Sequence, residues 1–191
     1  MESKILYFDR PGPGNTDDLM RFSSKRAKEL GITHVVVATT QGGTALRARE
    51  MFSKETEIVA VTIAEGFSSK PGWCIKEENR GYLLEKSIRV LTASHALGDG
   101  VGGAFSEKYG GKPLEEVVRD TLYRFGQGMK VCVEIVLMAA DSGLIPMNEE
   151  IMSIGGTGEG ADTCIVVKPA YPRTFFDLEI REILCKPRYI S

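Results

Sequence analysis

The apolar residues of this chain follow two rhythms that alternate along it. Short runs rich in β-branched residues, within Ile32–Ala38 and Glu57–Ile63, read as strands buried on both faces of a parallel sheet. Between such runs the apolar spacing becomes helical. Leu19, Phe22, Ala27 and Leu30 fall on or near one face of a helix that stops at Gly31. Asn15 or Thr16 would cap that helix, and Asp17 and Asp18 in its first turn suit the helix dipole. A short strand at Lys4–Phe8 precedes it, and a helix over Thr44–Phe52 follows the second strand. The first third is therefore β-α-β-α-β, which calls for right-handed crossovers and a parallel sheet.

The remainder continues in the same style. Glu77–Ser87 reads as a helix and Ile88–Thr92 as a strand. Leu114–Phe125 and Met129–Leu144 read as helices split by Gly126 and Gly128. Glu150–Ile154, Thr163–Lys168 and Leu178–Lys186 read as closing strands, and the short loop between the first two predicts an antiparallel edge. The helix from Met129 is apolar almost all round, so it packs deeply. Glu134 in its middle needs either a partner or solvation at a helix edge, and the second account is the simpler one. The expected fold is a single α/β domain over residues 1–191. It is a three-layer, mostly parallel open sheet with helices on both faces and an antiparallel edge.

Three glycine-rich loops leave the carboxyl ends of predicted strands, where open α/β sheets bind ligands. The first, Thr39-Thr40-Gln41-Gly42-Gly43-Thr44, runs onto a helix N-terminus. Free N–H groups and the positive dipole end there suit an anion such as a phosphate, and the alternative is an ordinary βα turn that uses Gly and Thr for geometry alone. The three threonines add hydroxyl donors, and Gly42 and Gly43 allow close backbone approach. It is neither a Walker A loop nor a dinucleotide fingerprint, because the lysine of the one and the G-x-G-x-x-G of the other are missing. The second loop, Ala93–Gly103, carries Ser94, His95 and Asp99. Adjacency in sequence does not create triad geometry, and no G-x-S-x-G elbow is present. The third, Gly155–Asp162, can form an anion nest from successive backbone N–H groups. A fourth, turn-rich stretch, Ala64–Trp73, holds Phe67 and Trp73, which either cover an aromatic ligand or close the core.

Composition narrows the classes. A formal net charge of −2 argues against a nucleic-acid surface. No apolar run approaches the roughly 20 residues that span a bilayer, and no signal pattern opens the chain, so a cytoplasmic protein is expected. Cys74, Cys132, Cys164 and Cys185 form no C-x-x-C pair, which points to reduced, mostly buried thiols rather than a metal site.

With these loops in place, the chain resembles archaeal and bacterial stand-alone proteins related to the C-terminal α/β domain of pyruvate kinase. The likeness is carried by Pro11–Thr16, by Val35–Ala45 with Ile58–Thr62, by Gly128–Glu134, and by Gly155–Thr163 with Lys168-Pro169-Ala170. Stand-alone members have been associated with bound flavin mononucleotide (FMN), so the resemblance implies FMN as the ligand. Its phosphate would sit on Thr39, Thr40, Gln41, Gly42, Gly43 and Thr44. Its ring would lie among Asn15 and Thr16, Glu65, Gly66 and Phe67, Ser94 and His95, and Gly156, Thr157, Gly158 and Asp162. The pyruvate kinase domain takes part in subunit contacts, so the resemblance leaves room for a homo-oligomer. Pyruvate kinase activity is not expected, because 191 residues cannot hold the roughly 250-residue barrel that performs it. The activator loop of pyruvate kinases also usually carries Ser-Gly where this chain has Gln41-Gly42. A sugar-phosphate sensor is the alternative from another class, and a hydrolase using Asp99, His95 or Asp162 with a metal ranks last. No dedicated acid, base or nucleophile is visible, so a flavin-dependent oxidoreductase and a flavin-responsive binder both stay open.

Overall fold

The computed structural model describes residues 2–67 and 73–190. Its strands are β1 (Leu6–Phe8), β2 (His34–Ala38), β3 (Glu57–Val61), β4 (Ile88–Leu91), β5 (Ile151–Gly155), β6 (Thr163–Lys168) and β7 (Glu179–Pro187). They form one sheet in the order β1-β7-β6-β5-β2-β3-β4. Only β6 runs against its neighbours, β5 and β7, so the flank beyond β5 carries the antiparallel pairings of an otherwise parallel sheet.

The helices are α1 (Thr16–Leu30), α2 (Gly43–Met51), α3 (Glu77–Glu85), α4 (Val101–Tyr109), α5 (Leu114–Leu122) and α6 (Gln127–Asp141). Strand alternation sorts them into layers. Val35 and Val37 of β2, with Ile58 and Ala60 of β3, pack with Leu19 and Met20 of α1, Ala45 and Ala48 of α2 and Leu83 of α3. Val36, Val59 and Val61 point the other way, onto Val133, Val136, Leu137 and Ala140 of α6. The handedness rule explains the arrangement. Steps β1→β2→β3→β4 all move in one direction across the sheet, so a right-handed crossover puts α1, α2 and α3 on one face. The return from β4 to β5 moves the opposite way and puts α6 on the other face.

The predicted strands and helices are present, with ends shifted by a few residues. Two local expectations change. Neither Asn15 nor Thr16 caps α1 with its side chain. A 3-10 turn over Pro13–Asn15 leads into the helix, and these side chains bond back to the Arg10 and Pro13 carbonyls. The loop expected over Ala93–Gly103 ends early, because α4 begins at Val101 despite Gly102 and Gly103. None of α4's residues is buried, and Val101, Phe105 and Tyr109 form a strongly exposed apolar stripe at four-residue spacing. The local sequence was a poor guide there because no core contact enforces the helix. Among the described residues no helix is long and apolar enough to cross a membrane. Cys132, Cys164 and Cys185 are buried free thiols, and Cys74 is half-buried.

Candidate functional site

The exits of β2 and β5 lead in opposite directions, the first to α2 and β3, the second to β6. Adjacent parallel strands whose exits diverge leave a crevice at their carboxyl ends. A cavity of about 860 Å³ opens there, lined by the ends of β2 and β3, the start of α2, the 156–160 loop and the inner side of α6. That size lies within the roughly 300–1,000 Å³ typical of small-molecule pockets. A more open hollow of about 1000 Å³ lies outside β1 and the 9–15 loop, and shares no lining residue with it.

The first wall is the turn into α2. Thr39 N–H continues the sheet by donating to the Val61 carbonyl, and its Oγ1 accepts the Gly42 N–H at 3.0 Å. Gly42 has φ +101°, and a Cβ there would lie 3.3 Å from Leu83, so its glycine serves the turn and the α3 packing. Gln41 is a clamp: its Nε2 donates to the Cys74 carbonyl, and its Oε1 accepts from Lys76 N–H and Asn79 Nδ2. The first intrahelical bond of α2 is Leu46 N–H to the Gly42 carbonyl. The Gly43, Thr44 and Ala45 amides precede it and have no partner within the helix. Thr40 and Thr44 line the cavity beside them, and no hydrogen bond among the described residues engages either hydroxyl.

The second wall is aromatic. Phe67 packs edge-on against Trp73 with centroids 5.8 Å apart, and lies 5.4 Å from the His95 ring. Phe67 and Trp73 are each 42% exposed and line the cavity, so they cover it and do not close the core. Residues 68–72 of their loop lie outside the described residues. His95 Nδ1 bonds Asp99 Oδ2 at 2.5 Å, and its Nε2 faces the Ala64 N–H at 3.4 Å. These contacts fix one tautomer, with Nδ1 donating to the carboxylate and Nε2 accepting from the amide. Asp99 has φ +62°, a strained conformation for a non-glycine residue.

The third wall is α6, and it corrects the reading of Glu134. That carboxylate does not sit at a solvated helix edge: it is 4% exposed, Oε2 accepts from Lys130 Nζ at 2.5 Å, and Oε1 accepts from Leu97 N–H at 3.0 Å. Lys130, itself 8% exposed, lines the cavity with Glu134, Val131, Ile135 and Met138. Arg119 and Tyr123 extend this wall. Arg119 is engaged by Asp120 at 2.9 Å and by Glu116 at 3.3 Å. Burial works against its charge, but these carboxylates outweigh that and raise its pKa.

The structure thus gathers Thr39, Thr40, Gln41, Gly43, Thr44, Phe67, His95, Gly156 and Gly158 around one cavity. Asn15, Thr16, Gly42, Glu65, Gly66, Ser94, Thr157 and Asp162 do not line it. Several of these brace the walls instead. Asp162, fully buried, accepts from Gly12 N–H, Thr157 N–H and the Thr163 hydroxyl, tying the 9–16 loop to the 156–162 loop. Thr16 Oγ1 accepts the Ala161 N–H across the same seam. Gly160 permits the approach, since a Cβ there would lie 2.6 Å from both Pro13 and Thr16. Lys130, Arg119, Tyr123 and Gln127 were missed by sequence reasoning. One signal for them was available: Lys130 and Glu134 stand four apart in an otherwise apolar helix, the spacing of a paired buried charge.

No group of three or more metal-ligating side chains occurs among the described residues. The lining carries amides and hydroxyls of the kind that hold a phosphate, aromatic and aliphatic surface of the kind that covers a planar ring, and a cation.

Residues 17–167 match the family model described as the pyruvate kinase alpha/beta domain. Similar solved structures include Cryptosporidium parvum pyruvate kinase in complex with ADP, at 13% identity and TM-score 0.42, covering 84% of this chain and 25% of that one. A second structure of the pyruvate kinase from that organism gives 11% identity and TM-score 0.39, covering 84% and 24%. The chain spans about a quarter of the length of those enzymes. It belongs to the pyruvate kinase alpha/beta domain family.

Proposed function

We propose that the protein binds FMN in the cavity over β2 and β3, with its phosphate at the N-terminus of α2. One observation carries the reading. The first-turn amides of α2, which have no partner within the helix, and the Thr40 and Thr44 hydroxyls, which no hydrogen bond among the described residues engages, lie at an aromatic-walled cavity. Such a turn holds a phosphate without a lysine, because backbone N–H groups and hydroxyls supply the donors. Phe67 and Trp73 offer ring surface on one side, and Ile135 and Met138 offer aliphatic surface on another. A bound flavin would supply electron transfer, while the chain's residues bind it, orient it and tune its electronics.

The test is the visible spectrum of the purified protein, before and after FMN is added. A flavin spectrum that remains through desalting supports the reading. A colourless protein that leaves FMN fluorescence unquenched overturns it. A second reading, a sensor for sugar phosphates, is favoured by Lys130 and Arg119, which would meet a second anionic group. Saturable binding of a sugar bisphosphate by a protein that ignores FMN would establish that reading in place of the first.

A further inference from the structure

The α6 wall does something that phosphate capture at α2 does not account for. An ammonium carries three N–H donors. Among the described residues, Glu134 Oε2 is the acceptor recorded for Lys130. Glu134 cannot turn toward a ligand in its place, since its other oxygen is held by the Leu97 amide. The remaining Lys130 donors belong to a buried side chain on the cavity wall, and no second hydrogen bond from it occurs among the described residues. Arg119, the other cation on this wall, is engaged by Asp120 and Glu116. A buried ammonium with unfilled donors favours an acceptor from the cavity's occupant.

Topology fixes which part of the occupant that is. α2 packs on one face of the sheet and α6 on the other, and the cavity spans the strand ends between them. A ligand with its phosphate at α2 lays its head toward α6. We propose that Lys130 is a specificity-determining residue that donates to a carbonyl acceptor on the edge of a planar head group, as on the pyrimidine edge of a flavin. Glu134 acts as the positioning residue that holds the ammonium in place. The proposal rests on the FMN reading, and it predicts that head recognition is independent of phosphate recognition.

Fluorescence titrations with FMN and with riboflavin, which lacks the phosphate, test this on wild type, Lys130→Arg and the double variant Lys130→Met/Glu134→Gln. The double variant removes both charges together, so no buried charge is left unpaired. It is expected to weaken FMN and riboflavin by the same factor, at least about tenfold, the worth of one hydrogen bond to a charged group. The FMN-to-riboflavin ratio should stay at the wild-type value, and Lys130→Arg should recover part of the loss. A loss confined to FMN would make Lys130 a phosphate ligand, and unchanged affinity for both would remove it from recognition; either result overturns the proposal. A ligand-side arm needs no variant: wild type should bind FMN more tightly than at least one of 2-thio-FMN and 4-thio-FMN, whose sulfur accepts hydrogen bonds poorly. Equal affinity for all three would overturn the proposal. Failure of wild type to bind any flavin is a different result, which overturns the FMN reading itself and the proposal with it.

Discussion

Two helices reach the cavity from opposite faces of the sheet, and they meet it with opposite chemistry. α2 presents its backbone: unpaired amides, two hydroxyls and a glycine turn whose geometry is set by Thr39 and by the contact of Gly42 with Leu83. α6 presents side chains from its buried flank: a lysine and a glutamate that need each other to be buried at all. Backbone recognition costs the fold little, because helix termini leave those groups free in any case. Side-chain recognition is bound up with stability, because an ion pair removed from water cannot lose one partner without penalty.

The sharpest way to break this contrast is Lys130→Met. It strands a buried carboxylate, so it should destabilise folding by about 3–5 kcal/mol, with the double change Lys130→Met/Glu134→Gln recovering most of that. Urea unfolding midpoints of the two variants measure the difference. If the single variant were as stable as wild type, the α6 wall would not depend on its ion pair.

On the other wall, Thr44→Val should leave the unfolding midpoint close to wild type, since no described bond engages the hydroxyl. It should weaken FMN by about 1.5–3 kcal/mol, the worth of a hydrogen bond to a charged group. Calorimetric titration beside a melting curve separates the two effects. A variant that lost stability and kept its affinity would reverse the comparison.

Gly42→Ala is intermediate. At φ +101° with Leu83 3.3 Å from the new methyl, it should cost about 1–2 kcal/mol of stability. Its melting temperature checks this, and an unchanged value would mean that the turn relaxes freely.

The smallest effect per group concerns the thiols. Burial pushes the Cys185 thiol up to about 12, and pushes Cys132 and Cys164 up as well. The unfolded value is about 8.5, so the folded state holds these protons more tightly than the unfolded state does. Their contribution to stability is therefore complete below about pH 8.5 and is lost as pH rises toward 12, by about 1 kcal/mol per thiol at pH 9. Unfolding midpoints at pH 7 and 9 measure it. A thiol reagent at pH 8 should label the half-buried Cys74 alone until the protein is unfolded.

The sequence made the parallel strands, the layer order and the α2 turn legible for a physical reason. Val35–Val37 and Ile58–Val61 are apolar on both faces, and Gly42-Gly43 just after the strand marks the turn into a helix. What stayed hidden depended on tertiary placement. Lys130 and Glu134 are ordinary helix residues until tertiary packing buries them, and α4 has no buried residue to mark it. Asp162 and Thr16 stand in polar loops like ligand contacts, but their partners are amides about 150 positions away in the chain, at Gly12 and Ala161. Neighbouring residues carry no trace of such pairings.

The affinity of the wild-type protein for FMN relative to riboflavin reads out whether the proposed phosphate site at the α2 turn is used. Fluorescence quenching measures both on one preparation. Amides and hydroxyls on a dianion predict FMN tighter than riboflavin by at least about tenfold. Riboflavin bound as tightly as FMN would show that the turn into α2 makes no contact with a phosphate, and the account would fail at its centre.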